Sequence, residues 1–193
     1  VHHAAGVAIS MDHLTGLGHR KIAFISRPLD LFSARRRFEG FLESLDRHGL
    51  KRDSAMIEEA NHRADGGHDA MKRILDSGAK PTAIVASNDL TAIGAMGAIH
   101  EHGLRIPQDI SIVGYDDIQL SAYTQPSLTT LRLPRAEIAN AAFRALYSAL
   151  QPETKKPYVG QDYDIQPTLI LRESTGPIPR SDAKPTRKGK PSN

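Results

Sequence analysis

Three short apolar runs of this chain end abruptly in polar side chains of the kinds that bind small molecules. They are "IAFI" (22–25), which leads into Ser26-Arg27-Pro28, "TAIVA" (82–86), which leads into Ser87-Asn88-Asp89, and "ISIVGY" (110–115), which leads into Asp116-Asp117. In open parallel sheets, ligands bind just beyond the carboxyl ends of the strands. If these runs are parallel strands, their polar groups meet along one edge of a sheet, where they could bind a polar ligand.

Two of these pairs also have ordinary structural explanations. Asp116 and Asp117 could form a turn in which their carboxylates accept backbone N–H bonds. Either Asn88 or Asp89 could cap the helix predicted over 89–103. A cap and a ligand contact are compatible if Asp89 caps the helix while Asn88 faces the ligand. The residues alone leave these alternatives open.

A run of three arginines adds a second kind of candidate. Arg35, Arg36 and Arg37 lie in the first turn of a predicted helix, where the helix dipole disfavours cations. Helical phase places Arg36 opposite the apolar stripe, whereas Arg35 and Arg37 flank it. The run could be a solvated face that pairs with Glu39 and Glu43, or an arginine fork that binds hydroxyls or a carboxylate. Phase cannot choose between Arg35 and Arg37.

The elements that must position these residues follow from the hydrophobic pattern, which alternates between short apolar runs and amphipathic segments. Helices are predicted from the start of the chain to Gly18, over 33–49, from Ala64 to Gly78, over 89–103 and over 135–150, and strands at 22–25, 55–59, 82–86, 110–115, 129–133 and within 163–174. Ser33 is predicted to cap the start of the second helix and Gly49 its end. Continuous apolar strands between amphipathic helices indicate an α/β fold, with a parallel sheet covered by helices on both faces.

Composition excludes several classes of protein. The 193 residues are 39% hydrophobic and 24% charged, as in an ordinary globular domain, and contain no cysteine for disulfides or thiolate metal sites. No apolar stretch approaches the ~20 residues that cross a bilayer. The last fourteen residues, "RSDAKPTRKGKPSN", carry a net charge of +4 against +3 for the whole chain. This segment is expected to be disordered, and the remaining chain has no electrostatic sign of DNA binding.

No catalytic or metal-binding set can be assembled from the residues. His2, His3 and His13 lack a carboxylate at metal-site spacing, and no nucleophile with a base and an orienting group can be named. The glycines of "GAMGAIHEHG" fall inside a predicted helix, where they cannot cradle phosphate as a P-loop does. The opening "VHHAAGVAISMDHL" lacks the regions of a signal peptide and is expected to begin partway through a longer protein. We therefore predict neither an enzyme nor a bound cofactor.

Five segments of the chain resemble the lactose/galactose repressor (LacI/GalR) family of bacterial transcription regulators. They are "HLTGLGHRKIAFI", "SARRRFEGF", "PTAIVASNDLTAIGAM", "GLRIPQDISIVGYDDIQLSAYTQPSLTTL" and "LILREST", in the family order. The resemblance covers the chain to about Gly176. It implies a periplasmic-binding-protein-like core of two α/β subdomains that close on a small effector, preceded by a helix-turn-helix headpiece.

The resemblance also implies a division of the chain. Residues 2–130 would form an essentially complete C-terminal subdomain. Residues 131–160 would be a strand and helix of the N-terminal subdomain, which is otherwise missing together with the headpiece. Residues 161–172 would return to the C-terminal subdomain, and 173–193 would be a disordered basic tail.

Site residues are carried over by motif. The effector-binding arginine of the family falls on Arg37, the amide that contacts ligand hydroxyls on Asn88, and the effector-binding carboxylate on Asp116, with Asp117 structural. His62 stands where many members place a Trp or Phe that stacks on the ligand. This departure weakens the case for stacking on a sugar ring. The effector is nevertheless expected to be sugar-like, because Asp116 can accept from hydroxyls and Arg37 can donate to them, with a purine-like molecule also open.

The function implied by the resemblance is that of a repressor core, working in the cytoplasm and without contact to a membrane. It would sense a small metabolite, form a homodimer and bind operator DNA through the headpiece. Ile93, Met96 and Tyr123 would lie at the dimer interface, although Ile93 and Met96 also fit an ordinary core at helical spacing. The alternative is a sugar-binding component of a transporter, which shares the fold and carries a signal peptide.

Overall fold

The computed structural model describes residues 2–150, 163 and 165–178, and it is built around one six-stranded sheet. The strands are β1 (Ile22–Ser26), β2 (Ile57–Glu59), β3 (Ala83–Ala86), β4 (Ser111–Tyr115), β5 (Thr129–Arg132) and β6 (Thr168–Ile170). The helices are α1 (His3–Gly16), α2 (Phe32–Arg47), α3 (Ala64–Asp76), α4 (Asp89–Glu101) and α5 (Arg135–Leu150), with short 3-10 turns at Ser54–Met56 and Gln119–Ala122. The sheet order is β2-β1-β3-β4-β5-β6, and only the β5–β6 pair is antiparallel.

Alternating side chains of the central strands fill two separate cores. On one face, Ala23, Ile84 and Ile112 pack with residues of α3 and α4. On the other face, Phe24 and Val85 pack with residues of α1 and α2. Strands buried on both faces explain the continuous apolar runs, and the predicted α/β fold with helices on both faces is confirmed.

The α3–α4 pair is held close by glycine. A Cβ added at Gly94 would meet the backbone oxygen of Ala64 at 1.8 Å, and one added at Gly67 would meet that of Thr91 at 2.2 Å. Gly94, the first glycine of "GAMGAIHEHG", therefore serves helix packing, whereas Gly103, the last, follows the end of α4.

The helix ends agree with the predicted capping residues, with one exception. Gly18, Gly49, Gly78 and Gly103 follow helix ends with positive φ, which glycine adopts without steric cost. The predicted cap at Ser33 is wrong, because α2 begins at Phe32 and its N-cap is Leu31, which makes no side-chain cap bond. The Ser33 hydroxyl instead accepts a hydrogen bond from Arg27 Nη1 at 3.5 Å.

The predicted division of the chain needs two corrections. The boundary at residue 131 falls inside β5, which pairs with β4 in the main sheet, so assigning this strand to another subdomain is wrong. The helix that follows, α5, has no buried residue. Residues 151–160, predicted to continue that unit, lie outside the described residues.

The tail predicted to start at 173 is also wrong for its first residues. Ser174 is fully buried, accepts a hydrogen bond from Thr129 N and donates one to Ile112 O. Gly176 O accepts a hydrogen bond from buried His19 Nε2 at 2.9 Å. Hydrogen bonds therefore fix this segment against the sheet. Residues 179–193 lie outside the described residues.

Candidate functional site

Arg37 is the centre of the polar cluster at the carboxyl edge of the sheet. It is 4% exposed, and its Nη1 donates a short hydrogen bond to Ser87 O, just after β3. Its guanidinium carbon lies 3.7 Å from the centroid of the Tyr115 ring, a cation–π contact, and its Nη2 lies 3.6 Å from Asp116 Oδ1. The structure thus brings Arg37 and Asp116 together, as predicted.

The other two arginines of the run face solvent. Arg35 and Arg36 are exposed, and Arg36 Nη1 pairs with Glu39 at 2.6 Å. The solvated-face interpretation therefore describes Arg36, and among the three only Arg37 points into the cluster. This is the choice that helical phase had left open.

Asn88 is the cap of α4. Its Oδ1 accepts a hydrogen bond from Thr91 N at 2.9 Å, and its Nδ2 donates to His62 O at 3.1 Å. The alternative in which Asp89 caps α4 is therefore wrong, and these two bonds use only one of the two N–H groups of the Asn88 amide. Asn88 is 4% exposed, and it fixes the backbone of His62 at the edge of the cluster.

Asp89 has a role that the sequence did not indicate. Its carboxylate is buried and accepts hydrogen bonds from Ile118 N at 2.8 Å, from Ser121 Oγ at 2.7 Å and from Thr130 Oγ1. Gly114 on β4 leaves room for it, because a Cβ there would lie 2.3 Å from Asp89 Oδ1. Burial raises its pKa, against these hydrogen bonds. Asp89 therefore anchors the loop that follows β4.

The two carboxylates after β4 have different environments. Both residues have positive φ, +109° at Asp116 and +50° at Asp117, which is uncommon outside glycine and is held here by the surrounding contacts. The Asp116 side chain is 31% exposed, and its burial raises its pKa to about 6, against the opposing effect of the Arg37 charge. It is the carboxylate that a ligand could reach.

Asp117 is held by two arginines. Its carboxylate accepts hydrogen bonds from Arg172 Nη2 at 2.6 Å and from Arg132 Nε at 2.5 Å. Burial alone would raise the pKa of Asp117, but these two bonds hold it below its ordinary value. Arg135, the first residue of α5, donates to the backbone oxygens of both Asp116 and Asp117 at 2.8 Å. This loop is thus linked to β5, to the segment after β6 and to α5.

His62 reaches the same edge from the loop after β2. Burial, followed by the charges of Arg27 and Arg37, lowers its pKa to about 4, so the imidazole is neutral near pH 7. Its φ of +68° is in the left-handed region. A neutral ring here can offer one hydrogen-bond donor and one acceptor.

Several buried polar atoms of this cluster have no hydrogen-bond partner within the described part of the chain. They are Arg27 Nε, Arg37 Nε, His62 Nδ1 and Ser87 Oγ. Buried polar groups are usually paired, so a group of unpaired ones at one edge indicates a place for a ligand or for water. Arg27 and Ser87 were visible in the sequence only as polar residues that follow strands, and Tyr115 gave no separate signal.

The three residues predicted at the dimer interface differ in how deeply they are buried. Met96 is 4% exposed and belongs to the core beside α3, so the core alternative is correct for it. Ile93 is partly buried against the same core. Tyr123 is 74% exposed and remains available to a partner.

The described residues lack two further features that would indicate a function. Within them, no group of three or more His, Cys, Asp or Glu side chains could hold a metal ion. No helix in the same part of the chain combines the length and apolarity needed to span a bilayer.

The comparisons with known proteins agree with this fold. The model of the periplasmic binding protein-like domain matches residues 11–175, and the chain belongs to that family. The transcriptional repressor PurR of Haemophilus influenzae is 36% identical over 180 residues, which cover 92% of this chain and 53% of the repressor. The chain thus spans about half the length of the curated relatives it matches.

The solved structures that resemble this chain include transcription regulators of the LacI family. A LacI-family sugar-binding transcriptional regulator from Escherichia coli, complexed with phosphate, is 30% identical with a TM-score of 0.82, over 91% of this chain and 62% of that one. A lac repressor dimer bound to operator and an anti-inducer is 33% identical with a TM-score of 0.82, over 90% of this chain and 51% of that one. The resemblance to the LacI/GalR family is confirmed.

Proposed function

We propose that this chain is the effector-sensing core of a DNA-binding transcription repressor, and that a small metabolite binds through Arg37, Asn88, Asp116 and His62. The observation that carries the proposal is the convergence of buried polar groups at the carboxyl edge of the sheet. Arg37 Nε and Ser87 Oγ are buried there without a partner among the described residues. Fixed polar groups at the carboxyl ends of parallel strands suit a small polar ligand.

The relatives support a regulatory rather than a catalytic role. Those reported above are named as repressors or transcriptional regulators, one of them sugar-binding. By analogy, the effector would be sugar-like or purine-like, the protein would act as a homodimer in the cytoplasm, and a headpiece outside this chain would bind operator DNA. The alternative of a transporter's solute-binding component has only the shared family model in its favour.

The contacts of the loop that carries Asp116 and Asp117 suggest how effector binding could be transmitted to the rest of the protein. An effector that engages Asp116 would act on a loop whose backbone oxygens are held by Arg135 at the start of α5. Binding to one arrangement of this loop and helix shifts the population towards that arrangement. In a dimer, such a shift would change the spacing of two DNA-binding headpieces, which must match the spacing of the operator half-sites.

The proposal is tested on the intact protein by titrating candidate metabolites and following both heat release and binding to DNA from upstream of its gene. Arg37→Ala and Asp116→Ala should each weaken effector binding by about tenfold or more, because each removes a charge-assisted hydrogen bond. Arg36→Ala, on the exposed side of the same helix turn, should leave binding unchanged. Equal effector affinity in all four proteins would show that this edge is not the effector site.

A further inference from the structure

The charges at the effector edge do not balance. Arg27 follows β1 directly, and its Nη1 donates a hydrogen bond of 3.5 Å to Ser33 Oγ, one helical turn before Arg37 on α2. Its Nε is buried without a hydrogen-bond partner, and it forms no salt bridge with any residue that the structure describes. A guanidinium that is partly removed from water normally acquires a counter-charge.

Arg37 is in a similar position although it is more deeply buried. Its one neighbouring carboxylate, Asp116, lies 3.6 Å away, which is beyond the length of a charge-assisted hydrogen bond. Burial is the main cause that lowers the pKa of Arg37, with a smaller contribution from the charge of Arg27, and burial followed by the charges of Arg27 and Arg37 lowers the pKa of His62. The two guanidinium groups therefore act on the same space beside His62.

Two other acids of this edge, Asp89 and Asp117, are already engaged by neighbouring groups. Asp89 accepts three hydrogen bonds from the loop after β4, and Asp117 is held by Arg132 and Arg172. His62 is neutral near pH 7 because its pKa is about 4. Among the described residues, Asp116 is the one carboxylate within 4 Å of either guanidinium. Glu59, which ends β2 beside Ser26, forms no ion pair with Arg27, so the space beside the two arginines carries an excess of positive charge.

We propose that the effector carries an oxyanion, a carboxylate or a phosphate group on its sugar-like or purine-like body, and that Arg27 and Arg37 bind this group together. This inference rests on the proposed effector site. Both arginines have an unpaired Nε–H, and one edge of a guanidinium can bind two oxygens of a carboxylate or phosphate in parallel. The unpaired Ser87 hydroxyl supplies a further donor at the same edge.

A neutral sugar fits this edge less well. Its hydroxyls could accept from the free N–H groups, but they would leave the excess positive charge uncompensated in a partly desolvated place. An oxyanion provides both the hydrogen-bond acceptors and the counter-charge. Because Arg27 adds a second positive charge to that of Arg37, this edge selects an effector that carries an oxyanion.

The test compares matched ligands on the intact protein by calorimetry: glucose with glucuronate and with glucose 6-phosphate, and inosine with inosine monophosphate. We expect at least one acid to bind about ten- to a hundredfold more tightly than its neutral counterpart, with Arg27→Gln removing this preference. Arg36→Gln is the matched control and should keep it. A preference confined to the phosphate esters or to the uronate identifies which oxyanion is bound.

A probe that needs no knowledge of the ligand body accompanies this panel. Sulfate, compared with chloride at equal ionic strength, should raise the melting temperature of the wild type more than that of the Arg27→Gln/Arg37→Gln double variant. An equal sulfate effect on both proteins overturns the inference. The inference is also overturned if a neutral ligand of the panel binds at least as tightly as its acid. It is likewise overturned if the preference for the acid survives Arg27→Gln.

These outcomes separate the inference from the proposed function. If a neutral ligand binds and Arg37→Ala abolishes its binding, the effector site stands and only the oxyanion is wrong. If every ligand that binds is insensitive to both Arg37→Ala and Asp116→Ala, the site itself is wrong.

Discussion

The guanidinium of Arg37 meets a carbonyl, an aromatic ring and a carboxylate, each through a different part of its surface. The carbonyl of Ser87 and the ring of Tyr115 fix its position, because both belong to strands or strand ends of the main sheet. The carboxylate of Asp116 is the least constrained of the three, being 31% exposed and 3.6 Å away. Asp116 is therefore the residue whose protonation is most sensitive to what binds beside it.

The pH dependence of effector binding follows from this position. The pKa of Asp116 is raised to about 6 by burial, so its charge changes within an accessible range. An oxyanion bound nearby disfavours the ionised form and raises this pKa further, so that binding takes up a proton. Affinity for glucuronate should then rise as the pH is lowered towards about 6 and level off below it. A neutral polyol that donates to ionised Asp116 gives the opposite sign, with affinity lost below about 6.

Calorimetric titration across this range distinguishes the two cases. Asp116→Asn should abolish the pH dependence while the protein stays folded, which separates Asp116 from the other titrating groups of the edge. His62 remains neutral over the interval, and the raised pKa of Asp89 is common to both proteins. A pH dependence that persists unchanged in Asp116→Asn would assign it to another group.

At the scale of elements, the contact between α3 and α4 determines where the site residues of two loops lie. Asn88 caps α4, and its side-chain amide donates a hydrogen bond to the backbone oxygen of His62, in the loop before α3. The two helices can approach this closely because Gly67 and Gly94 present no side chain to the facing backbone. The spacing of the helices therefore sets the position of His62 relative to the end of β3.

Two glycines of α4 give a matched test of this contact. Gly94→Ala should lower the free energy of unfolding by about 1–3 kcal/mol, because the added methyl overlaps backbone that cannot rotate away. Gly97→Ala should be neutral or stabilise by up to about 1 kcal/mol, because alanine favours a helix and the nearest atom, on the His68 side chain, is 3.6 Å away. Urea denaturation of the two variants measures both values. Equal effects would mean that the helices can separate without cost.

At the scale of the whole molecule, the sequence predicted what depends on local pattern. The strand at 22–25 is β1, and the helix over 89–103 is α4, because apolar runs and glycine stops are readable within a few residues. The edge cluster was also predictable, because parallel strands place their carboxyl ends together. The choice of Arg37 from three arginines required the family resemblance at first, and burial then showed it independently.

What the sequence could not predict depends on contacts between distant segments. Asp89 looked like a helix cap, yet its partners lie at Ile118, Ser121 and Thr130. Residues 173–178 looked like the start of a polar tail, yet the Ser174 hydroxyl links the backbone of Ile112 on β4 to that of Thr129 on β5. Neither arrangement leaves a periodic pattern, because one buried polar residue is satisfied by groups that are far away in the chain.

The histidines give the whole molecule a predictable response to acid. Burial lowers the pKa values of His3, His13, His19 and His62, to about 4 for His3 and His62 from an ordinary 6.5. In the interval between these values the unfolded chain takes up protons that the folded chain does not, so stability falls as the pH is lowered below about 6.5.

Two histidine variants should change this acid response in opposite directions. His3→Gln removes a group with a lowered pKa, so it should reduce the loss of stability between about pH 7.5 and 4.5. His68→Gln should make the loss steeper, because Glu101 and Asp69 raise the pKa of His68 and its protonation favours the folded state. Urea midpoints measured at both pH values for the wild type and the two variants check the signs. If both variants change the loss of stability in the same direction, burial of His3 is not what makes the fold sensitive to acid.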